Sequence, residues 1–149
     1  MKKYELTEET IMADDNLKLY RIRALKNFSN VKAGDLGGFV ESGKNLSQEG
    51  DCWIYDEARV YDNAWVFDDA RVSNSALVYG SADISGSARV YGSAQVYGKS
   101  QVYGFAKVYG SAQIYGSAEV YGDARISGYA RIFGDARIYG SAEIYDYAN

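Results

Sequence analysis

The chain contains no histidine, no proline and a single cysteine, Cys52. Without histidine, no side chain has an ordinary pKa near neutrality, so no residue stands out as a general acid or base. The absence of proline leaves every residue a backbone donor, which suits an uninterrupted hydrogen-bonded ladder. One cysteine allows no intramolecular disulfide and fits a reducing compartment. No apolar run approaches the length of a membrane span. The opening MKKYELTEETIMADD turns acidic after two lysines, without the apolar segment of a secretory signal. The net charge of −4 is too mild to argue for or against nucleic acid.

What the chain does carry is a short period. From Cys52 to Tyr147 it divides into sixteen hexads without insertion or deletion: CWIYDE, ARVYDN, AWVFDD, ARVSNS, ALVYGS and onward to AEIYDY. A fixed short period marks a solenoid in which each unit touches only its neighbours. One position is always Val or Ile, from Ile54 and Val60 to Ile144. Ala stands two residues before it, with Cys52 and Ser100 the exceptions. Strand alternation turns Val or Ile inward and its two neighbours outward. The Gly-Ser, Asp-Asn or Asn-Ser pair that follows is a corner, where Gly and Asn tolerate positive φ. The small Ala packs inside the bend. Cys52 takes this inward position, which makes it a core residue and not a ligand or nucleophile.

Residues 1–30 do not repeat. Lys3-Tyr4-Glu5-Leu6 and Leu17 to Leu25 read as strands, with turn chemistry at Asp14-Asp15-Asn16 between them. The expectation is a β-hairpin cap covering the first coil. Residues 31–51 read as a degenerate opening coil in the same register, with Val40 and Leu46 leading into Cys52 and Ala58. Gly34, Gly37, Gly38, Gly43 and Gly50 are expected to mark bends. Residues 52–149 form the solenoid.

Three strands and three corners close a triangle of eighteen residues. With an aliphatic residue and a small one four places later, as in Val60 and Ala64 or Ile114 and Ala118, the repeat resembles the hexapeptide-repeat, left-handed parallel β-helix superfamily. The likeness covers about two-thirds of the chain. It implies an all-β, left-handed parallel β-helix and a trimeric assembly. DLGGFVES, NLSQEG and DCWIYDEA also resemble short uncharacterised phage and bacterial proteins of this type. The superfamily is known mainly for acyltransferases that use coenzyme A with a histidine base; this chain has no histidine and no long inserted loop.

The acids Asp56, Glu57, Asp62, Asp68 and Asp69 fall on three different corners, so no metal site is predicted. Residues eighteen apart stack on one face, and this places Trp53, Arg71, Arg89, Lys107, Arg125 and Glu143 in one outward column. Beside it run Tyr55, Ser73, Tyr91, Tyr109, Ser127 and Tyr145. Stacked like charges destabilise a ladder unless compensated. Arg71, Arg89, Lys107 and Arg125 with Tyr91 and Tyr109 are therefore the candidate binding face, for a phosphate, a nucleic-acid strand or an acidic protein. Arg and Tyr planes that simply stack on each other are the alternative. Trp53, Tyr55 and Trp65 are a candidate aromatic patch.

The functional expectation is a non-catalytic, self-associating binding or scaffold module, phage-encoded by the style of its repeats, that meets a partner macromolecule through tyrosine-rich faces. The alternatives are a divergent acyl- or nucleotidyl-transferase with a site between subunits, and an anion, nucleotide or nucleic-acid binder on the Arg/Tyr face. No catalytic residue and no cofactor is assigned. A homo-oligomer, trimeric or paired end to end, and a protein partner are expected, with no membrane partner. The expected location is the cytoplasm of a bacterium or infected host, or the virion.

Overall fold

The computed structural model describes residues 2–14 and 16–146. Asp15 of the expected turn, Tyr147 at the end of the last repeat and the two residues after it lie outside the described residues. Among the described residues all regular structure is β apart from one 3-10 turn, Gly43–Asn45. Among the described residues no helix is long and apolar enough to cross a membrane.

The N-terminal hairpin is present as β1 (Tyr4–Asp14) and β2 (Leu17–Ala24), paired antiparallel. β3 (Leu36–Val40) pairs antiparallel with β2 and parallel with the short strand Arg59–Val60 of the solenoid. The cap therefore extends one wall of the prism as a continuous sheet. From Trp53 onward, short strands recur every hexad and sort into three parallel walls.

Pairing runs at a strict spacing of eighteen, as in Arg71 to Arg89 to Lys107 to Arg125. N–H groups of one coil donate to carbonyls of the next: Arg59 to Ala76 (3.0 Å), Tyr61 to Val78 (3.0 Å), Asn63 to Gly80 (2.8 Å). Each hexad thus spends its backbone polar groups on the coil beyond it, as a buried backbone must. The Val/Ile column from Ile54 to Ile126 and the Ala column from Ala58 to Ala124 are fully buried. Each buried Val or Ile contributes roughly 1.5–3 kcal/mol relative to exposure. Ser100, at an alanine position, is buried and satisfied by donating to the Tyr97 carbonyl at 2.8 Å. Cys52 is buried as expected.

The opening coil departs from the expected register. Val40 pairs with Val60 and Leu46 with Val66, twenty residues on and not eighteen. The two extra residues fall in the segment after Leu46, where the Gln48 side chain accepts from the Lys3 and Tyr4 N–H groups (2.7 and 3.3 Å). Gly37 and Gly38 do not mark bends either; they lie inside β3. A Cβ at Gly38 would stand 2.4 Å from the Ala58 carbonyl oxygen, so glycine is there for close backbone approach.

Two cap residues that the pattern did not single out join the cap to the coils. Lys3 is fully buried, and its Nζ donates to the carbonyls of Cys52 (2.8 Å) and Gly50 (3.2 Å). Arg21 lies over the Phe39 ring at 4.2 Å and donates to the Gly37 carbonyl (2.7 Å) and to Glu57 (3.0 Å).

The corners explain a change in the repeat. Asp56, Asp62, Asp68 and Asn74 hold positive φ of 56–59°, and from Gly80 to Gly140 glycine takes the same place. Each acid or amide accepts from the N–H one coil ahead: Asp62 from Gly80 (3.1 Å), Asp68 from Gly86 (3.1 Å), Asn74 from Gly92 (3.0 Å). At Gly98, with φ of 70°, a Cβ would lie 2.8 Å from the Gly116 nitrogen and oxygen. Gly98→Ala is expected to cost about 1–3 kcal/mol in urea denaturation, as strain without compensation. Gly98→Asn should cost clearly less, because its amide oxygen can accept as that of Asn74 does. Equal losses for the two variants would contradict this account of the corners.

Candidate functional site

Outward positions are fixed by the eighteen-residue register, so the candidate face is a set of columns on a rigid wall. Arg71, Arg89, Lys107 and Arg125 are aligned by direct strand pairing, one coil apart. Neighbouring coils are spaced by ~4.8 Å. None of the four makes an ion pair among the described residues. Elsewhere acids are used: Arg21 meets Glu9 and Glu57, and Arg137 faces Glu119 at 3.8 Å. On this wall the four cations form no ion pair among the described residues, and Glu143, paired in register with Arg125, is the acid that ends their column.

The second column stacks where tyrosines adjoin. Tyr91 and Tyr109 lie 5.0 Å apart with planes at 5°. The other two walls carry longer stacks. Tyr61, Tyr79, Tyr97, Tyr115 and Phe133 succeed one another at 4.9–5.4 Å, and Tyr103, Tyr121 and Tyr139 at 4.9–5.3 Å. Tyrosine ladders are thus ring-on-ring stacks that half-bury most of their members.

At the N-terminal end of the basic wall the ladder is interrupted. Ser73 stands between Tyr55 and Tyr91, and the space above it is a groove of about 300 Å³ lined by Asn30, Tyr55, Asp56, Arg71, Ser73, Arg89 and Tyr91. One end is walled by the tight turn Phe28–Val31, closed by reciprocal backbone hydrogen bonds of 2.9 and 2.8 Å. Ser29 takes φ of 48° in this turn. Its Oγ accepts from Arg71 at 3.1 Å, and Asn30 Oδ1 accepts from the Tyr55 hydroxyl at 2.9 Å. Burial raises the Tyr55 hydroxyl pKa, while Arg71 and Arg89 oppose the shift.

The expected aromatic patch does not form. Trp53 is in the outward column, but it is only 1% exposed. Phe28 and Tyr4 cover it edge-on at 5.3 and 6.1 Å. Outward-facing alternation says nothing about a loop that folds back from another part of the chain. Tyr55 lines the groove, whereas Trp65 sits on a different wall, 44% exposed and stacked on Phe67 at 3.9 Å. Ser29 and Asn30 were missed because they lie outside the repeat; the small polar pair within NFSNV was the available turn signal.

The corner acids are spread as expected, and Asp56 is engaged by the Asn74 backbone N–H and side-chain amide (3.0 and 3.2 Å). Cys52 Sγ stands 3.3 Å from Lys3 Nζ, deep in the cap and away from the groove. Its thiol pKa is pushed up by burial, with Lys3 working in the opposite direction. That arrangement disfavours the nucleophilic thiolate.

Stacked phenols have a measurable signature. Tyr61 is pushed up to about 12, first by burial and then by its neighbours Tyr79, Asp62 and Asp14. Tyr79, Tyr91, Tyr97 and Tyr103 are raised too, again chiefly by burial. A raised phenol favours the neutral form in the fold, so its contribution to stability is intact below the unfolded value of about 10. For Tyr61 it is lost as pH rises toward about 12. Phenolate absorbance should therefore show a late-titrating tyrosine class, followed by a fall in urea midpoint at alkaline pH. A single transition at the ordinary tyrosine value in the folded protein would contradict the ladder.

Two stretches of the chain, residues 82–98 and 130–146, match the family described as the YdcK beta solenoid repeat. The chain is also 39% identical over 67 residues to a protein of Escherichia coli (strain K12) named "Uncharacterized acetyltransferase YdcK". The match covers 40% of this chain and 21% of that protein, so the chain spans about a fifth of the relative's length. Eighteen-residue coils and three parallel walls make the chain a parallel β-solenoid built from hexads, similar over those stretches to the YdcK beta solenoid repeat.

Proposed function

We propose that this protein is a non-catalytic binding module whose recognition surface is the basic, tyrosine-flanked wall, and that its ligands are anionic. The observation that carries the reading is the run of four cations, Arg71 to Arg125, aligned coil by coil without an ion pair among the described residues. Held at a spacing of ~4.8 Å, such charges repel one another, and an anion bound along the column relieves the repulsion. A binding role also fits a chain without histidine, whose cysteine is buried. Self-association through the other tyrosine-rich walls belongs to the same reading, since Phe133 and Tyr139 expose large rings there. A concentration-independent monomer in light scattering removes that part alone.

The similarity to a protein named as an acetyltransferase favours a second reading, in which the wall holds the phosphates of an acyl-coenzyme A. The two readings separate by titration calorimetry with tripolyphosphate and with acetyl-coenzyme A. The binding-module reading expects saturable tripolyphosphate binding that weakens with salt. Arg89→Glu with Lys107→Glu should lose roughly tenfold or more in affinity while keeping the wild-type melting temperature, because exposed charges carry little folding energy. Unchanged affinity in that double variant would refute the assignment of the wall. Acetyl transfer from acetyl-coenzyme A to an added acceptor amine, lost in the same variant, would establish the second reading in its place.

A further inference from the structure

The groove over Ser73 is a missing rung. Where tyrosines adjoin in this column, as at Tyr91 and Tyr109, the rings stack at 5.0 Å. Tyr55 and Tyr91 are two coils apart, separated by roughly 10 Å at the coil spacing. Ser73, between them, contributes no ring, and the groove is lined by both tyrosines and by the serine itself. The vacancy is one ladder step deep. A single flat ring entering it would be faced by an aromatic on each side, at the spacing the ladder already uses.

The edges of the vacancy differ in charge. Arg71 and Arg89 line it on the side of the basic column. They precede Ser73 and Tyr91 by two residues of extended strand, roughly 6–7 Å. Asp56, at the corner that follows Tyr55, lines it too. Both Asn74 donors meet one oxygen of that carboxylate, and among the described residues the other has no hydrogen bond and is open to a donor on the ring's edge. Asn30, held by Tyr55, stands at the rim. A ring fits between the tyrosines; an anion joined to it by a short linker fits the guanidinium groups.

We infer that the Ser73 groove is a binding site for one nucleoside monophosphate, with the base stacked between Tyr55 and Tyr91 and the phosphate held by Arg71 and Arg89. The inference deepens the reading of the basic wall and rests on it. The site takes a single nucleotide and not a running strand. The adjoining rung, Tyr91 on Tyr109, is closed by ring stacking and leaves no room for a second base. Base stacking on aromatic side chains tolerates any base, so the ring is specified by shape and the anion by charge.

The test is titration calorimetry of the whole chain with the four ribonucleoside 5′-monophosphates, inorganic phosphate and tripolyphosphate. Wild-type protein should bind at least one nucleotide at one site per chain and more tightly than inorganic phosphate. Ser73→Tyr completes the ladder, and Tyr91→Ala removes one wall. Each should weaken nucleotide binding by roughly tenfold or more, the worth of an aromatic stack on a base. Tripolyphosphate binding should survive Ser73→Tyr.

Wild-type nucleotide affinity in both Ser73→Tyr and Tyr91→Ala would overturn the site. If Arg89→Glu with Lys107→Glu still weakened tripolyphosphate, the basic wall would stand without it. Loss of neither ligand in any variant would remove both. No nucleotide binding by the wild-type protein would overturn the site, and so would a single-stranded oligonucleotide bound with several nucleotides per site. Should Ser73→Tyr misfold, Tyr91→Ala alone decides.

Discussion

Everything on this molecule's surface depends on one backbone constraint: each hexad gives its N–H groups to the carbonyls one coil ahead, at a spacing of eighteen residues. Proline would remove a donor from this ladder, and the chain has none. The corners must then turn tightly at positive φ, and the residues there are glycine, aspartate or asparagine. The core must be filled by one aliphatic and one small residue per hexad, and both columns are buried. Once backbone, corner and core are committed, the two outward positions of each strand are free to vary. Function on such a scaffold is written in columns, and a departure from the column pattern is informative.

The hexad predicted the walls, the inward columns and the partners across each coil, because a period without insertions leaves no freedom of register. It predicted the buried place of Cys52 for the same reason. Legibility ended where the period ended. Val40 and Leu46 sit six apart, which invited the same register, but the residues after Leu46 lengthen that coil by two. Gly37 and Gly38 looked like bends and are strand residues under close backbone contact. Trp53 occupies an outward position and is covered by Phe28, a residue outside the repeat. Lys3, Arg21, Ser29 and Asn30 act through contacts distant in sequence, which no local pattern encodes.

The candidate site shows the same division. The cation column followed from counting by eighteen, whereas the groove needed three dimensions. Ser73 reads in sequence as an ordinary substitution within an exposed column. In the fold it is a gap between two rings, closed at one end by the Phe28–Val31 turn and flanked by Arg71 and Arg89. Serine also interrupts the column at Ser127, whereas the Phe28–Val31 turn makes its hydrogen bonds to Tyr55 and Arg71 in the first coils. The acids stay spread over the corners, as expected, and take a structural part there that the repeat did not announce. Asp56, Asp62 and Asp68 serve the corners, each accepting from a backbone N–H one coil ahead.

The central claim is that anions meet this solenoid on one wall. Arginine side-chain N–H resonances provide the most direct test, because arginines stand on all three walls and act as controls for one another. As tripolyphosphate is added, the Nε–H signals of Arg71, Arg89 and Arg125 should shift together and saturate, while those of Arg59, Arg131 and Arg137 stay in place. Shifts spread evenly over all these arginines would mean charge attraction without a site, and would contradict the account.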